Sequence, residues 1–304
     1  MKYCITGGLG FVGNELTRQL KQKGEVCVLD SGYRTAQDID DLQDVRIVRV
    51  DVTNPIEVSD AICALAPDVV IHLAAIHFIP ECNANPALTM RVNVEGTLSV
   101  LLACVESRVK HFIFASSGAV YADSEKALLE QDPVDPVDIY GISKKMAEDL
   151  CQWIGKSHQL PITIMRLFNV YGPRETNAHI IPEILGQLRK GNVLRLGNTK
   201  PVRDYIFVSD VASAIEKITG HIPSGVEIFN LSSGHSASVD ELVAALEKIL
   251  GRKIELETDP QRFRKADKQI QKADIGKITK ALNWSPVFDI ENGLRKLLSY
   301  EGLS

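Results

Sequence analysis

One stretch near the N-terminus, Thr6-Gly7-Gly8-Leu9-Gly10-Phe11-Val12-Gly13, restricts the fold more than any other part of this chain. It joins a β-rich run at 2–6 to a stretch of helical period at about 11–23. Glycines between a strand and a helix allow a tight turn and let backbone N–H groups approach a pyrophosphate at the positive end of the helix. Gly8-x-Gly10-x-x-Gly13 satisfies the dinucleotide fingerprint literally, and Gly7-x-x-Gly10-x-x-Gly13 fits equally well. Asp30 ends a second strand-like run at 25–30, seventeen residues past Gly13. An acid there accepts hydrogen bonds from adenosine ribose hydroxyls and repels a 2′-phosphate, which predicts NAD as the cofactor. Arg34 argues the other way, because an arginine can accommodate that phosphate. A glycine-rich turn that binds nothing is the competing account.

The first half continues the pattern of a parallel sheet covered by helices. Further strand-like runs fall at 45–52, 68–75, 111–117 and 162–169, with helical stretches at 55–66, 86–108 and 138–157. Near-continuous Val/Ile/Leu runs are what a sheet buried on both faces requires. After about residue 170 the alternation becomes irregular, with helices expected near 180–190, 210–219, 238–250, 274–282 and 289–299 and strands near 193–196, 204–208 and 226–232. The expected architecture is α/β, a Rossmann-type doubly wound parallel sheet with a smaller C-terminal substrate-binding region. Residues 1–169 form the NAD-binding part, 203–232 return to it, and 170–202 with 233–304 bind substrate at the carboxyl ends of the strands.

Composition removes several classes. A formal charge of −5 leaves no basic patch of the size nucleic acid requires. Six scattered cysteines form no C-x-x-C, and several sit in apolar runs, the pattern of buried reduced thiols. His77 and His179 lack a ligand partner at helical spacing, so no metal is expected. The N-terminus reads directly as a strand, and no apolar run is read as long enough to span a bilayer, so a cytoplasmic protein with no membrane partner is expected.

Asp51-Val52 ends the third strand, where a short acid can reach an adenine amino group or cap the helix beginning near Pro55. Leu73-Ala74-Ala75 ends the fourth in small residues that let a flat cofactor lie against the backbone, while His72 reads as a packed structural histidine. Tyr140 and Lys144 stand four residues apart, so on a helix they share one face. An ammonium beside a phenol favours the phenolate, which would suit a tyrosine to work as a base near neutrality. Taken alone, such a pair is ordinary helix packing.

These motifs, in this order, resemble the extended short-chain dehydrogenase/reductase family, specifically its NAD-dependent nucleotide-sugar epimerases and dehydratases. The likeness runs through Gly7–Gly13, Asp30, Asp51-Val52, His72–Ala75 and Asn93-Val94-Glu95-Gly96-Thr97. It continues in Ser116-Ser117 with Val120-Tyr121, Tyr140–Lys144, Arg166–Pro173 and Arg203-Asp204-Tyr205. It implies that Tyr140 is the acid/base and that Lys144 holds the nicotinamide ribose and lowers the tyrosine pKa. It implies that Ser117 hydrogen-bonds the reacting hydroxyl, and that Gly7, Gly10, Phe11, Val12, Gly13, Asp30, Asp51, Val52, Leu73, Ala74, Ala75 and Asn93 contact the cofactor. It further implies substrate contacts from Asn169, His179, Arg203, Arg264 and Asp267, the arginines because a planar fork suits phosphate. His179 stands where many relatives have asparagine. A homodimer is implied through the helix after the fourth strand and the Tyr140 helix, with Leu98, Leu101, Leu102, Val105, Leu150 and Ile154 as apolar candidates.

Relatives that dehydrate a sugar carry an Asp-Glu pair after the hydroxyl residue, and relatives that decarboxylate carry a glutamate in that segment. Here Gly118 and Ala119 follow Ser117. Small apolar residues remove an acid/base yet leave room for a sugar to turn, which points to 4-epimerisation of a UDP-hexose or UDP-hexuronic acid through a 4-keto intermediate. The alternatives are a dehydratase with a non-standard acid/base (Glu81 and Cys82 being the groups to suspect), a 4-ketoreductase, or a regulatory protein that binds NAD and a nucleotide sugar without catalysis.

Overall fold

The computed structural model describes residues 1–32, 42–175, 177–263 and 268–303, so Arg34, Arg264 and Asp267 lie outside the described residues. The first part runs β1 (Lys2–Thr6), α1 (Phe11–Leu20), β2 (Glu25–Asp30), β3 (Arg46–Arg49), α2 (Pro55–Leu65), β4 (Val69–His72), α3 (Ile79–Ala84), α4 (Pro86–Met90), α5 (Gly96–Glu106), β5 (His111–Ser117), α6 (Ile139–His158) and β6 (Ile162–Leu167). The rest runs β7 (Asn169–Tyr171), α7 (Ile180–Leu188), β8 (Val193–Leu196), β9 (Val202–Phe207), α8 (Val208–Thr219), β10 (Val226–Leu231), β11 (Ser236–Ser238), α9 (Val239–Leu250), β12 (Glu255–Thr258), β13 (Ile270–Gln271), α10 (Gly276–Leu282) and α11 (Ile290–Tyr300).

Seven strands form one parallel sheet in the order β10-β6-β5-β4-β1-β2-β3. Its strands read as unbroken apolar runs because both faces are covered. One face packs under α1 and α8 through Leu16, Leu20, Val211 and Ile215, and the other under α2, α5 and α6 through Ile62, Leu101, Cys104, Ala147 and Ile154. Within 203–232, β10 joins this sheet and α8 packs against α1, whereas β9 belongs to a second, smaller sheet with β7, β11 and β13. That small sheet carries its own core, including Tyr171, Ile184, Phe207, Leu242 and Leu297. Trp284 is buried in the large-sheet core, where its Nε1 donates to Ser213 Oγ of α8 at 2.9 Å.

Several elements depart from the sequence reading, among them the strand expected over 45–52, which ends at Arg49. The expected strand over 68–75 stops at His72, because the chain there leaves the sheet at the crevice between β4 and β1. The expected helix at 86–108 is broken by a π turn, Arg91–Glu95, between α4 and α5. The Pro86–Glu106 segment is also long and apolar enough by length and composition to cross a bilayer, contrary to the sequence reading. In this fold it covers the sheet, packed against α2 and α6.

Candidate active site

The cleft opens at the carboxyl ends of β1 and β4, where the crossovers run to opposite faces of the sheet and ligands settle in such folds. The glycine turn is shaped by close backbone approach. Gly7 has φ +70°, and a Cβ there would lie 2.8 Å from both N and Cα of Ala74. A Cβ on Gly13 would collide with the Gly7 carbonyl and lie 2.7 Å from Gly8 Cα. Gly8 instead packs over Val28, and it is Gly7, Gly10 and Gly13, with Phe11 and Val12, that line the cleft. This settles which glycine triplet forms the wall. The cradle suits a pyrophosphate lying against bare backbone, so the residues present fit a dinucleotide.

Asp30 closes the turn from the next strand. Its Oδ2 accepts from Leu9 N at 3.0 Å and its Oδ1 from Gly32 N at 2.8 Å. The carboxylate is fixed by backbone, and each oxygen retains a lone pair for a ribose hydroxyl. Asp51 also borders the cleft and accepts from Thr53 N and Oγ1, both at 2.9 Å. The cap of α2 is Asn54, not Asp51. Val52, Leu73, Ala74 and Ala75 complete this wall. Asn93 does not line it. Its Oδ1 accepts from Ile76 N at 2.8 Å, and its Nδ2 donates to Ile76 O at 2.8 Å and Ser143 Oγ at 2.9 Å, so the buried amide holds the loop beneath the cleft. His72 is wholly structural: its ring nitrogens pair with Thr6 Oγ1 at 2.6 Å and Thr97 Oγ1 at 3.0 Å, and burial drives its pKa down to about 3.

Further along, β5 delivers Ser116 and Ser117 to opposite sides. Ser116 Oγ donates to Glu148 at 2.5 Å, inside a buried network in which Arg166 holds the same carboxylate through Nε at 3.0 Å and NH2 at 2.7 Å. Ser117 faces the cleft, where its Oγ accepts from Ala119 N at 3.1 Å. Asp138 caps α6 by accepting from Gly141 N at 2.8 Å, which sets Tyr140 in the first helical turn beside Ser117. Lys144 is buried one turn on and donates to Ala115 O at 2.8 Å, with its Nζ 6.0 Å from the Tyr140 ring centroid.

The protonation pattern corrects the helix-pair expectation. Desolvation pushes the Tyr140 phenol above its ordinary value, and the neighbouring Ser117 hydroxyl offsets this only in part. Lys144 is itself lowered to about 8, chiefly by burial. The physical reason is that Lys144 points toward β5 and not at the phenol oxygen, so burial outweighs the pair's attraction. A positive charge brought into the cleft favours the phenolate.

Gly118 is tightly packed, since a Cβ would lie 3.1 Å from Gln271 Nε2 and from the Phe168 ring. The room that remains is above Ala119. Glu81 borders the cleft, but Cys82 is fully buried, donates to Ile76 O at 3.4 Å and has its thiol pushed up to about 11 by burial. It is no cleft acid.

The far wall comes from the smaller region. Asn169 Nδ2 donates to Asp204 O at 3.2 Å, and Arg203 lines the cleft with NH1 on Val202 O at 2.9 Å. His179 precedes α7, paired through Nδ1 with the buried carboxylate of Glu175, and its ring lies 5.7 Å from that of His77. Glu175, Asn177, Lys268 and Gln271 also line the cleft, and sequence reasoning missed all four. Lys268 follows Asp267 directly, so extending the Arg264–Asp267 motif by one residue is the signal that would have found it.

A doubly wound sheet, a glycine cradle closed by an acid and a Ser-Tyr-Lys group at the end of the same crevice define a nucleotide-cofactor redox enzyme. Residues 3–232 match the NAD dependent epimerase/dehydratase family, and the chain belongs to it. It is 30% identical to a UDP-glucose 4-epimerase of Lactobacillus helveticus, over 94% of this chain and 92% of that one. It is 31% identical to a GDP-6-deoxy-D-mannose reductase of Pseudomonas aeruginosa, over 83% and 85% respectively. Its backbone is similar to that of UDP-glucose 4-epimerase from Thermotoga maritima, solved with UDP-glucose, at a TM-score of 0.91, 27% identity and 99% coverage of both chains.

Proposed function

We propose that this protein epimerises a nucleotide-activated sugar at C4, with a uridine diphosphate carrier, by oxidation to a 4-keto sugar and reduction from the other face. The observation that carries this reading is the meeting of Ser117 and Tyr140 over Lys144, with Gly118 and Ala119 where an elimination acid would stand. The Ser117 hydroxyl orients the O4 hydroxyl, and Tyr140 takes its proton as C4 is oxidised, then returns it. Lys144 holds positive charge behind the phenol. NAD, when bound along Gly7–Gly13 and Asp30, supplies the hydride acceptor and donor at C4. Between the half-reactions the keto sugar turns in the space above Ala119. The similarity to UDP-glucose 4-epimerases supports the reading.

Purified protein should interconvert C4 epimers of UDP-hexoses or UDP-hexuronic acids, followed by NMR, with no added NADH. Tyr140→Phe should lower turnover about 10²–10⁴-fold and leave the protein's NAD content unchanged. Stoichiometric consumption of added NADH would instead indicate a 4-ketoreductase, the reading that the match to the GDP-sugar reductase supports. Absence of any sugar conversion by protein that retains NAD would sink both.

A homodimer through α5 and α6 is part of the same proposal. Leu102 on α5 and Ile142, Met146 and Trp153 along one stripe of α6 are exposed apolar side chains suited to a helical interface. Leu101 and Ile154, expected on that surface, are fully buried in the sheet core and take no part. We assign the enzyme to the cytoplasm, a reading supported by six free thiols.

A further inference from the structure

Lys268 reaches from the smaller region into the catalytic end of the cleft. Its Nζ donates to Tyr121 O and, at 3.5 Å, to Ala119 O, two residues beyond Ser117. The same Ala119 carbonyl abuts the first turn of α6, since a Cβ on Gly141 would lie 2.8 Å from it. The ammonium therefore stands beside the point where the Ser117 turn and the Tyr140 helix meet.

Among the described residues, its close-range partners carry no charge. Both hydrogen-bond partners are neutral carbonyls, and among the described residues no carboxylate lies within ion-pair distance of it. Asp123, Asp135 and Asp138 act on it from farther away, and Asp138 is already engaged by Gly141 N. Arg203 adds a second positive charge on the same wall. Partial burial lowers the lysine's pKa, and an anion arriving at this spot would favour the charged ammonium. An ammonium has three N–H donors, and two are spent on carbonyls, which leaves one for a ligand.

In a sugar whose O4 sits between Ser117 and Tyr140, C5 is the next atom and C6 hangs from it. A group on C6 is therefore held close to the C4 position. We propose that Lys268 is a specificity-determining residue that pairs with a carboxylate at C6, so that the substrate is a nucleotide-activated hexuronic acid and not the neutral hexose. This rests on the C4-epimerase reading for the placement of the sugar.

The test compares UDP-glucuronate with UDP-glucose, which share the diphosphate and differ only at C6. NAD-loaded wild-type protein should bind UDP-glucuronate at least tenfold more tightly by calorimetry, with the same order in kcat/KM. Lys268→Met should reduce uronate binding about 10–100-fold, the scale of one charge-assisted hydrogen bond lost, and leave UDP-glucose within about threefold. Lys268→Arg, which keeps the cation, should retain the preference. Thermal melting and NAD content check that the variants are folded. Tighter wild-type binding of UDP-glucose would overturn the proposal. So would an equal loss for both sugars in Lys268→Met, which would make the ammonium a clamp on the 118–121 turn or a diphosphate contact. Because binding is read directly, a protein that selects the uronate yet converts neither sugar would refute the C4 chemistry while upholding the role of Lys268.

Discussion

The two walls of the cleft are held by different means. On the cofactor side the shape is set by backbone: Gly7 and Gly13 touch neighbouring main chain, and Asp30 is fixed by two main-chain N–H groups. On the sugar side it is set by side chains from distant segments. Ser116, Glu148 and Arg166 form one buried cluster, Tyr121 and Asn230 join at 2.5 Å, and Lys268 and Gln271 arrive from nearly 150 residues away. A wall made of backbone accepts one ligand shape and tolerates little change. A wall made of side chains can be altered one residue at a time, which suits the half that must recognise a particular sugar.

That contrast can be broken or sharpened by experiment. The largest effect is expected from Glu148→Gln, which leaves the buried Arg166 guanidinium without its charge partner. Unfolding free energy should fall by about 3–5 kcal/mol, as for other buried pairs cut on one side. Urea unfolding would measure it, and a loss near zero would mean that the network is not what fixes the sugar-side wall.

Comparable at pH 5, at up to about 4 kcal/mol, is an acid sensitivity confined to the large sheet. His72 is held near a pKa of about 3 and His111 near about 4, both by burial. Folded values below the unfolded one mean that the unfolded chain binds more protons, so the stability is fully present above about pH 6.5. It is lost as pH falls from there toward 4, at up to about 2.7 kcal/mol per pH unit when both histidines contribute. Unfolding midpoints at pH 7.5, 6 and 5 would show this, and a flat profile would remove the two histidines from the account.

The smallest effect on stability is expected from Gly13→Ala, about 1–3 kcal/mol by overpacking. Its main consequence is local: purified protein should carry far less NAD, while the sugar-side wall keeps its affinity for UDP. Equal loss of both ligands would erase the distinction between the walls.

The same division explains what the sequence could reveal. Gly7–Gly13, Asp30 and the Tyr140–Lys144 pair were legible because their function follows from local spacing: a turn, a strand end, one face of a helix. The direction of the Tyr140 shift was not, since a pair rule omits burial, and burial is set by the whole fold. Asn93 was read as a cofactor contact because it lies in a motif beside the crevice. Which way its amide turns depends on the π turn in its helix, and no spacing rule supplies that. Lys268 and Gln271 acquire meaning only once β13 pairs with β9 and brings them beneath Ala119. Gly118 and Ala119 were read together as room for the sugar, and Gln271 and Phe168 crowd the Gly118 side of it.

The π turn at Arg91–Glu95 has a consequence for how the molecule is timed in register. One extra residue per turn advances the phase of everything downstream by about 100°. With that advance, Asn93 presents an acceptor to Ile76 N and a donor to Ile76 O, the same pair of bonds that a neighbouring strand would offer. The helix thereby impersonates a strand just past the end of β4. Its third bond, to Ser143, ties that impersonation to the helix carrying Tyr140 and Lys144. The floor under the cofactor and the angular setting of the catalytic helix are thus geared through a single amide.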